Sequence, residues 1–109
     1  MPGDTRAPII YLVQMDIPAE HEAEFNRIYD SEHVPALLKV PGVRGCTRYV
    51  LENTNKQGGV ARYLALYELD SPELIDSPAW QEAAAVGDWI AKIRPHTTNR
   101  SHTIMRKIG

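Results

Sequence analysis

The chain predicts an α+β domain of β-α-β-β-α-β order, an antiparallel sheet carrying two helices on one face. Three observations lead there. Short β-branched and aromatic runs alternate with two longer stretches of helical period. Each helical stretch is bracketed by proline, Pro18 to Pro41 and Pro72 or Pro78 to Pro95. A polar segment ending in Gly58-Gly59 joins the two central runs as a hairpin loop. That order is the ferredoxin-like arrangement of two split βαβ units.

The elements follow from local chemistry. Ile9–Met15 is β-branched and aromatic and reads as the first strand. Pro18 suits a first helical position, and Glu20, Glu22 and Glu24 suit the positive end of a helix. Phe25, Ile28 and Tyr29 then recur at helical spacing, so a helix runs from about Ala19 to Ser31 or Val34. Pro35 lacks an N–H and disfavours helical Val34, which predicts a kink or restart, with Ala36–Lys39 a last apolar turn closed by Pro41-Gly42. Val43–Leu51 and Val60–Leu69 are the second and third strands; Tyr63, Ala65, Tyr67 and Leu69 share one face, Leu64 and Leu66 the other. Asp70-Ser71-Pro72-Glu73 and Asp76-Ser77-Pro78-Ala79 are two successive helix starts. The second leads into a helix from Ala79 to about Arg94, with Trp80, Ala83, Ala84, Gly87, Ile90, Ala91 and Arg94 as its packing stripe. Thr97–Ile108 is the last strand. The Tyr and Leu rows leave one sheet face in need of a cover, and a second copy of the sheet is the simplest one.

Composition narrows the function. Residues 1–109 form one domain, with an ordered core of about 9–108. The apolar share of 43% and charged share of 24% are those of an ordinary soluble protein. A net charge of −2 argues against nucleic acid, and the C-terminal Arg94, Arg100, Arg106 and Lys107 read as ordinary surface charge. The single Cys46 fits a reducing cytoplasm. Residues 1–6 carry no apolar leader, and no run reaches the ~20 apolar residues of a membrane span, so the expectation is a cytoplasmic protein without membrane contact.

The stretch Tyr29-Asp30-Ser31-Glu32-His33-Val34-Pro35-Ala36-Leu37, followed by Val40-Pro41-Gly42-Val43, resembles the signature of the EthD-like branch of the dimeric α+β barrel superfamily. Ser77–Ala83 resembles the segment those proteins carry before their second long helix. The likeness runs from about Ile9 to Ile108. It implies a homodimer joined through its sheet faces, and His33 as the matching catalytic histidine. Relatives of this fold include dehydratases, cyclases, isomerases and cofactor-free monooxygenases. Haem-degrading members carry a haem-ligating histidine on a helix, but the acidic Asp30 and Glu32 beside His33 argue against that role here.

The residues themselves support a similar reading. Tyr29, His33 and Leu37 share a helical face, which turns His33 toward the sheet. A neutral imidazole there can take up and return a proton; alternatively it bridges the helix end to a backbone carbonyl. Tyr29, Tyr67 and Trp80 are expected to shape a substrate pocket, with Glu32 as a further contact that tunes His33 if the turn is irregular. Tyr11, Tyr63 and Trp89 belong to the same aromatic group, as pocket or core. His96 is expected at an exposed helix exit, and His102 faces either interior or solvent. No metal motif is present, and no metal or other cofactor is expected. Arg44 and Arg48 flank Cys46 and could lower its pKa, although a buried inert thiol is the commoner outcome. The leading expectation is cofactor-independent proton transfer (dehydration, isomerisation or cyclisation) on a small apolar oxygenated or aromatic compound. The alternatives are a cofactor-free monooxygenase and a non-catalytic ligand-binding or stress-related protein.

Overall fold

The computed structural model describes residues 6–109; the reading of the first residues as free of an apolar leader falls on 1–5, outside the described residues, save for Arg6. Four strands, β1 (Ile9–Asp16), β2 (Val43–Val50), β3 (Tyr63–Leu69) and β4 (Thr98–Arg106), form one sheet in the order β2-β3-β1-β4. Every pairing is antiparallel. This is the expected ferredoxin-like topology.

The period of two decides which face is covered. Along β1, Ile9, Tyr11, Val13 and Met15 are buried while the residues between them are half-buried, and β3 repeats the pattern with Tyr63, Ala65, Tyr67 and Leu69. The helices lie over this face and contribute Phe25, Ile28, Tyr29, Leu37, Trp80, Trp89 and Ile93 to one core. Phe25, Ile28 and Leu69 are 0% exposed, and full burial of such a side chain contributes about 1.5–3 kcal/mol. The opposite face stays open: Ile10, Leu12, Leu64 and Leu66 are half-buried there, and Tyr49 and Met105, their register partners, are exposed.

The first helical layer is continuous through its proline. A single 3-10 turn, Ala19–His21, leads into α1 (Glu22–Ile28), a π turn over Tyr29–His33, and α2 (Val34–Leu38). The Val34 N–H reaches back to the Tyr29 carbonyl, one residue further than in an α-helix. The wider turn lies just ahead of Pro35, whose ring would otherwise crowd the carbonyl four residues back and which brings no N–H of its own. The expected kink is thus a π turn, and it buries both Tyr29 and His33.

The second layer departs from expectation. A 3-10 turn, Pro72–Asp76, precedes α3 (Pro78–Ala84), capped by Ser77, whose Oγ accepts the Trp80 N–H at 3.2 Å. The helix expected to reach Arg94 stops at Ala84, and Gly87 takes φ +75°. A π turn over Trp89–Ile93 and a 3-10 turn over Arg94–His96 follow. The break resets the phase, so Trp89 and Ile93 are buried while Ile90, Ala91 and Arg94, placed on the packing stripe by unbroken 3.6 periodicity, are exposed. Gly87 is a left-handed turn residue rather than a packing position.

Strand limits move little. β3 begins at Tyr63 rather than Val60 because the Arg62 N–H is taken by the Asp16 carboxylate at 2.7 Å. A register shift between Val43 and Gly45 turns Arg44 out of the row it was expected to share with Cys46, and Arg44 pairs with Asp70 instead.

Candidate functional site

A cavity of about 230 Å³ opens between the sheet and the helices. Its floor is the covered face of β1 and β3, including Tyr11 and Tyr67; its sides are Tyr29 and His33 from the π turn, Trp80 from α3 and Trp89 from the second π turn. Four of the five residues expected at a site, His33, Tyr29, Tyr67 and Trp80, therefore meet here. The aromatic rings interlock: Trp80 meets Tyr11 and Tyr67 edge-on at 5.8 and 5.3 Å, and Tyr29 meets Trp89 edge-on at 4.9 Å. Such pairs favour one another beyond the area they bury, which holds the walls in place.

His33 is 7% exposed. Its ring stacks on Trp89 at 4.6 Å and meets Tyr29 edge-on at 5.1 Å. Nδ1 is fully buried and has no hydrogen-bond partner, so the alternative role of tying the helix end to a carbonyl through that nitrogen is not observed. Burial disfavours the charged ring and pulls its pKa from 6.5 down to about 4, so the imidazole is neutral at pH 7. The Tyr67 hydroxyl is the second buried polar atom without a hydrogen-bond partner of good geometry; the Tyr29 hydroxyl and the Cys46 thiol are its polar neighbours. Burial raises both phenols, Tyr29 to about 12, so both stay protonated and able to donate. Orphaned buried polar atoms are uncommon, and two beside one cavity call for an explanation.

Glu32 goes elsewhere. Its carboxylate accepts the Asp88 N–H at 2.9 Å and approaches Arg27 at 3.9 Å, and it does not line the cavity. In the π turn it points at the Gly87 break and fastens the two helical layers together. The tuning of His33 expected of Glu32 is absent from the causes acting on that ring, where burial stands alone. Cys46 is pushed up to about 11 by burial despite Arg48, which makes it a poor nucleophile. His96 is exposed, as expected, and stacks on His21 at 3.9 Å.

Sequence reasoning missed the arginines at the mouth and left His102 open between interior and solvent. Arg94, Arg100 and His102 line the cavity, with His102 stacked on Tyr11 at 6.1 Å. Composition alone makes the two arginines ordinary surface charge. The alternation of Arg100 and His102 on a strand places them on one face and was the signal available; no spacing rule could bring Arg94 beside them. Among the described residues no carboxylate lies within ion-pair distance of either guanidinium.

Known structures share this architecture. The haem-degrading protein MhuD of Mycobacterium tuberculosis, solved with two haems in its active site, matches at TM-score 0.63 and 18% identity, over 93% of this chain and 96% of that one. An EthD family protein of Bacillus halodurans matches at TM-score 0.63 and 14% identity, over 92% and 99% of the two chains. SnoaB, a cofactor-independent oxygenase of Streptomyces nogalater, matches at TM-score 0.55 and 16% identity, over 93% of each chain. These likenesses show the fold, the ferredoxin-like dimeric α+β barrel type to which the EthD-like resemblance pointed. No protein in the curated comparison matches the sequence. The histidine that a haem would need as its ligand, His33, is stacked on Trp89 in the wall of this cavity. Among the described residues no three His, Cys, Asp or Glu side chains gather to hold a metal ion, and no helix is long and apolar enough to cross a membrane. The sequence profile of a domain of unknown function, DUF4286, matches residues 8–108, and the chain belongs to that family.

Proposed function

We propose that this protein is a small-molecule enzyme that moves a proton on an apolar, oxygenated or aromatic compound without a cofactor. The observation that carries the reading is His33, a neutral imidazole in the wall of an aromatic cavity with a buried nitrogen that nothing satisfies. The ring takes a proton from a C–H beside a carbonyl, and the electron pair of that bond moves to the carbonyl oxygen. The Tyr67 hydroxyl, which stays protonated because burial raises its pKa, donates to the enolate oxygen once its ring turns from Tyr29 and Cys46 toward the cavity. The anion beside the ring makes the imidazole more basic than it is in the empty cavity. His33 then returns the proton to a second carbon, an isomerisation, or to a departing hydroxyl, a dehydration. Trp80, Trp89 and Tyr11 hold the apolar body and exclude water.

The test is deuterium uptake by an aromatic 1,3-diketone in D2O, followed by NMR. Exchange accelerated by the protein, and slowed about 100-fold by His33→Ala, is expected of an acid–base group. Exchange at the buffer rate, or an unaffected variant, overturns the proposal. Oxygen consumption on mixing with substrate would favour a cofactor-free monooxygenase instead.

The site belongs to a homodimer in this reading. The half-buried Ile10, Leu12, Leu64 and Leu66, with exposed Tyr49 and Met105, make an apolar face that a second sheet would cover. Leu66→Glu should convert a dimer into a monomer in sedimentation equilibrium.

A further inference from the structure

We infer that the ligand of this cavity carries a carboxylate, held at the mouth by Arg94 and Arg100 while its apolar body lies against the aromatic walls. This rests on the site being a ligand pocket, and it adds the chemical class of what enters.

The arrangement of charge carries the inference. Arg100 and His102 stand two residues apart on β4, and Arg94 begins the 3-10 turn that leads into that strand. All three line the cavity. Elsewhere guanidiniums are paired: Arg27 with Glu24, Arg48 with Asp30, Arg62 with Glu22. Arg94 and Arg100 both face this aromatic cavity, and among the described residues neither has a carboxylate within ion-pair distance. Asp76 is the acidic group felt at this end, where it acts on Tyr11 against Arg100, and it pairs with neither. Both guanidiniums also act on His102, whose pKa is lowered by burial first, then by Arg100 and Arg94. The mouth therefore holds two positive charges over a neutral imidazole. A planar guanidinium matches a carboxylate with two parallel hydrogen bonds, and such charge-assisted bonds are the strong ones. They would also set the ligand's direction, with the anionic end outward and the reacting end toward His33.

The test uses a matched pair of probes, 2-naphthoate and 2-naphthamide, which differ in charge and share one aromatic body. Quenching of Trp80 and Trp89 fluorescence reads binding of each. The carboxylate should bind at least roughly tenfold more tightly than the amide, and its affinity should fall as salt is added. Arg94→Gln with Arg100→Gln should bring the two probes to equal affinity and leave the amide where it was. Arg94→Lys with Arg100→Lys should restore part of the preference. Equal binding of the probes by the wild type, a preference that survives the double Gln variant, or no binding of either probe would overturn the inference. His33→Ala should keep the carboxylate preference, so a failure of the proton-transfer reading shows in exchange and not in this measurement.

Discussion

The two ends of the space between sheet and helices use the same residue types to opposite effect. At the β2 end, Arg48 lies over the rings of Tyr29 at 4.5 Å and Phe25 at 5.3 Å, donates to Asp30 at 2.7 Å and to the Asn26 side-chain carbonyl at 2.8 Å, and closes the core. Beside it Tyr63 donates to Glu22, which Arg62 also contacts. At the β4 end, Arg94 and Arg100 stand near Tyr11 and His102 with no acidic partner among the described residues, and the core is open. A cation with its hydrogen bonds filled is a piece of structure. A cation without them, at the mouth of a cavity whose inner polar atoms are also unfilled, marks a place for something else.

The contrast can be broken experimentally, and the largest effect is expected at His33. The unfolded chain binds a proton at this histidine as pH falls below its ordinary 6.5, whereas the folded chain resists until about 4. Its contribution is therefore complete above the unfolded value and is lost as pH drops through that window, by on the order of 3 kcal/mol. Urea unfolding at pH 7.5 and pH 4.5 should show this loss in the wild type and a smaller one in His33→Gln; equal losses would refute the assignment. Next comes Arg48→Met, which removes the cation over the rings and two hydrogen bonds. Asp30 is largely exposed, so the ion pair itself adds little, and a cost of about 2 kcal/mol is expected.

Gly87→Ala should cost roughly 1–3 kcal/mol, because a side chain at φ +75° is strained and the new Cβ would displace the Glu32 carboxylate from the Asp88 N–H. A rise in stability would mean that the second helical break is not held by this clamp. The smallest effect is expected at the open end. Arg94→Gln and Arg100→Gln, alone or together, should change unfolding free energy by no more than about 0.5 kcal/mol each, as exposed unpaired residues do. A cost comparable to that of Arg48→Met would place these arginines among the structural ones.

Much of the site was legible because the first helix announces its inward face. Tyr29 and His33 lie four apart, and Phe25 and Ile28 mark the same side, so even a π turn at Pro35 kept them in the wall. Tyr67 followed from strand alternation, and Trp80 from its helix start. Glu32 was misplaced because an adjacent position on an irregular turn can point anywhere, and its partner Asp88 lies across the core. The second helix was drawn too long because Gly87 inside an apolar, alanine-rich stretch keeps helical spacing on paper. Only its positive φ, with the Glu32 carboxylate crowding the place a Cβ would need, makes it a break.

The order of elements along the chain, the buried face of each strand and the inward turn of His33 are already written in the residues, since they depend on local propensity and on periodicities of two and 3.6. Tertiary structure decided what those residues meet. The meeting of His33 with Trp89, the union of Arg94 with Arg100 at one mouth, and the hydroxyl of Tyr67 without a partner all depend on segments far apart in the chain packing to one distance. No local pattern encodes that distance, because it is set by the volumes of the side chains in between.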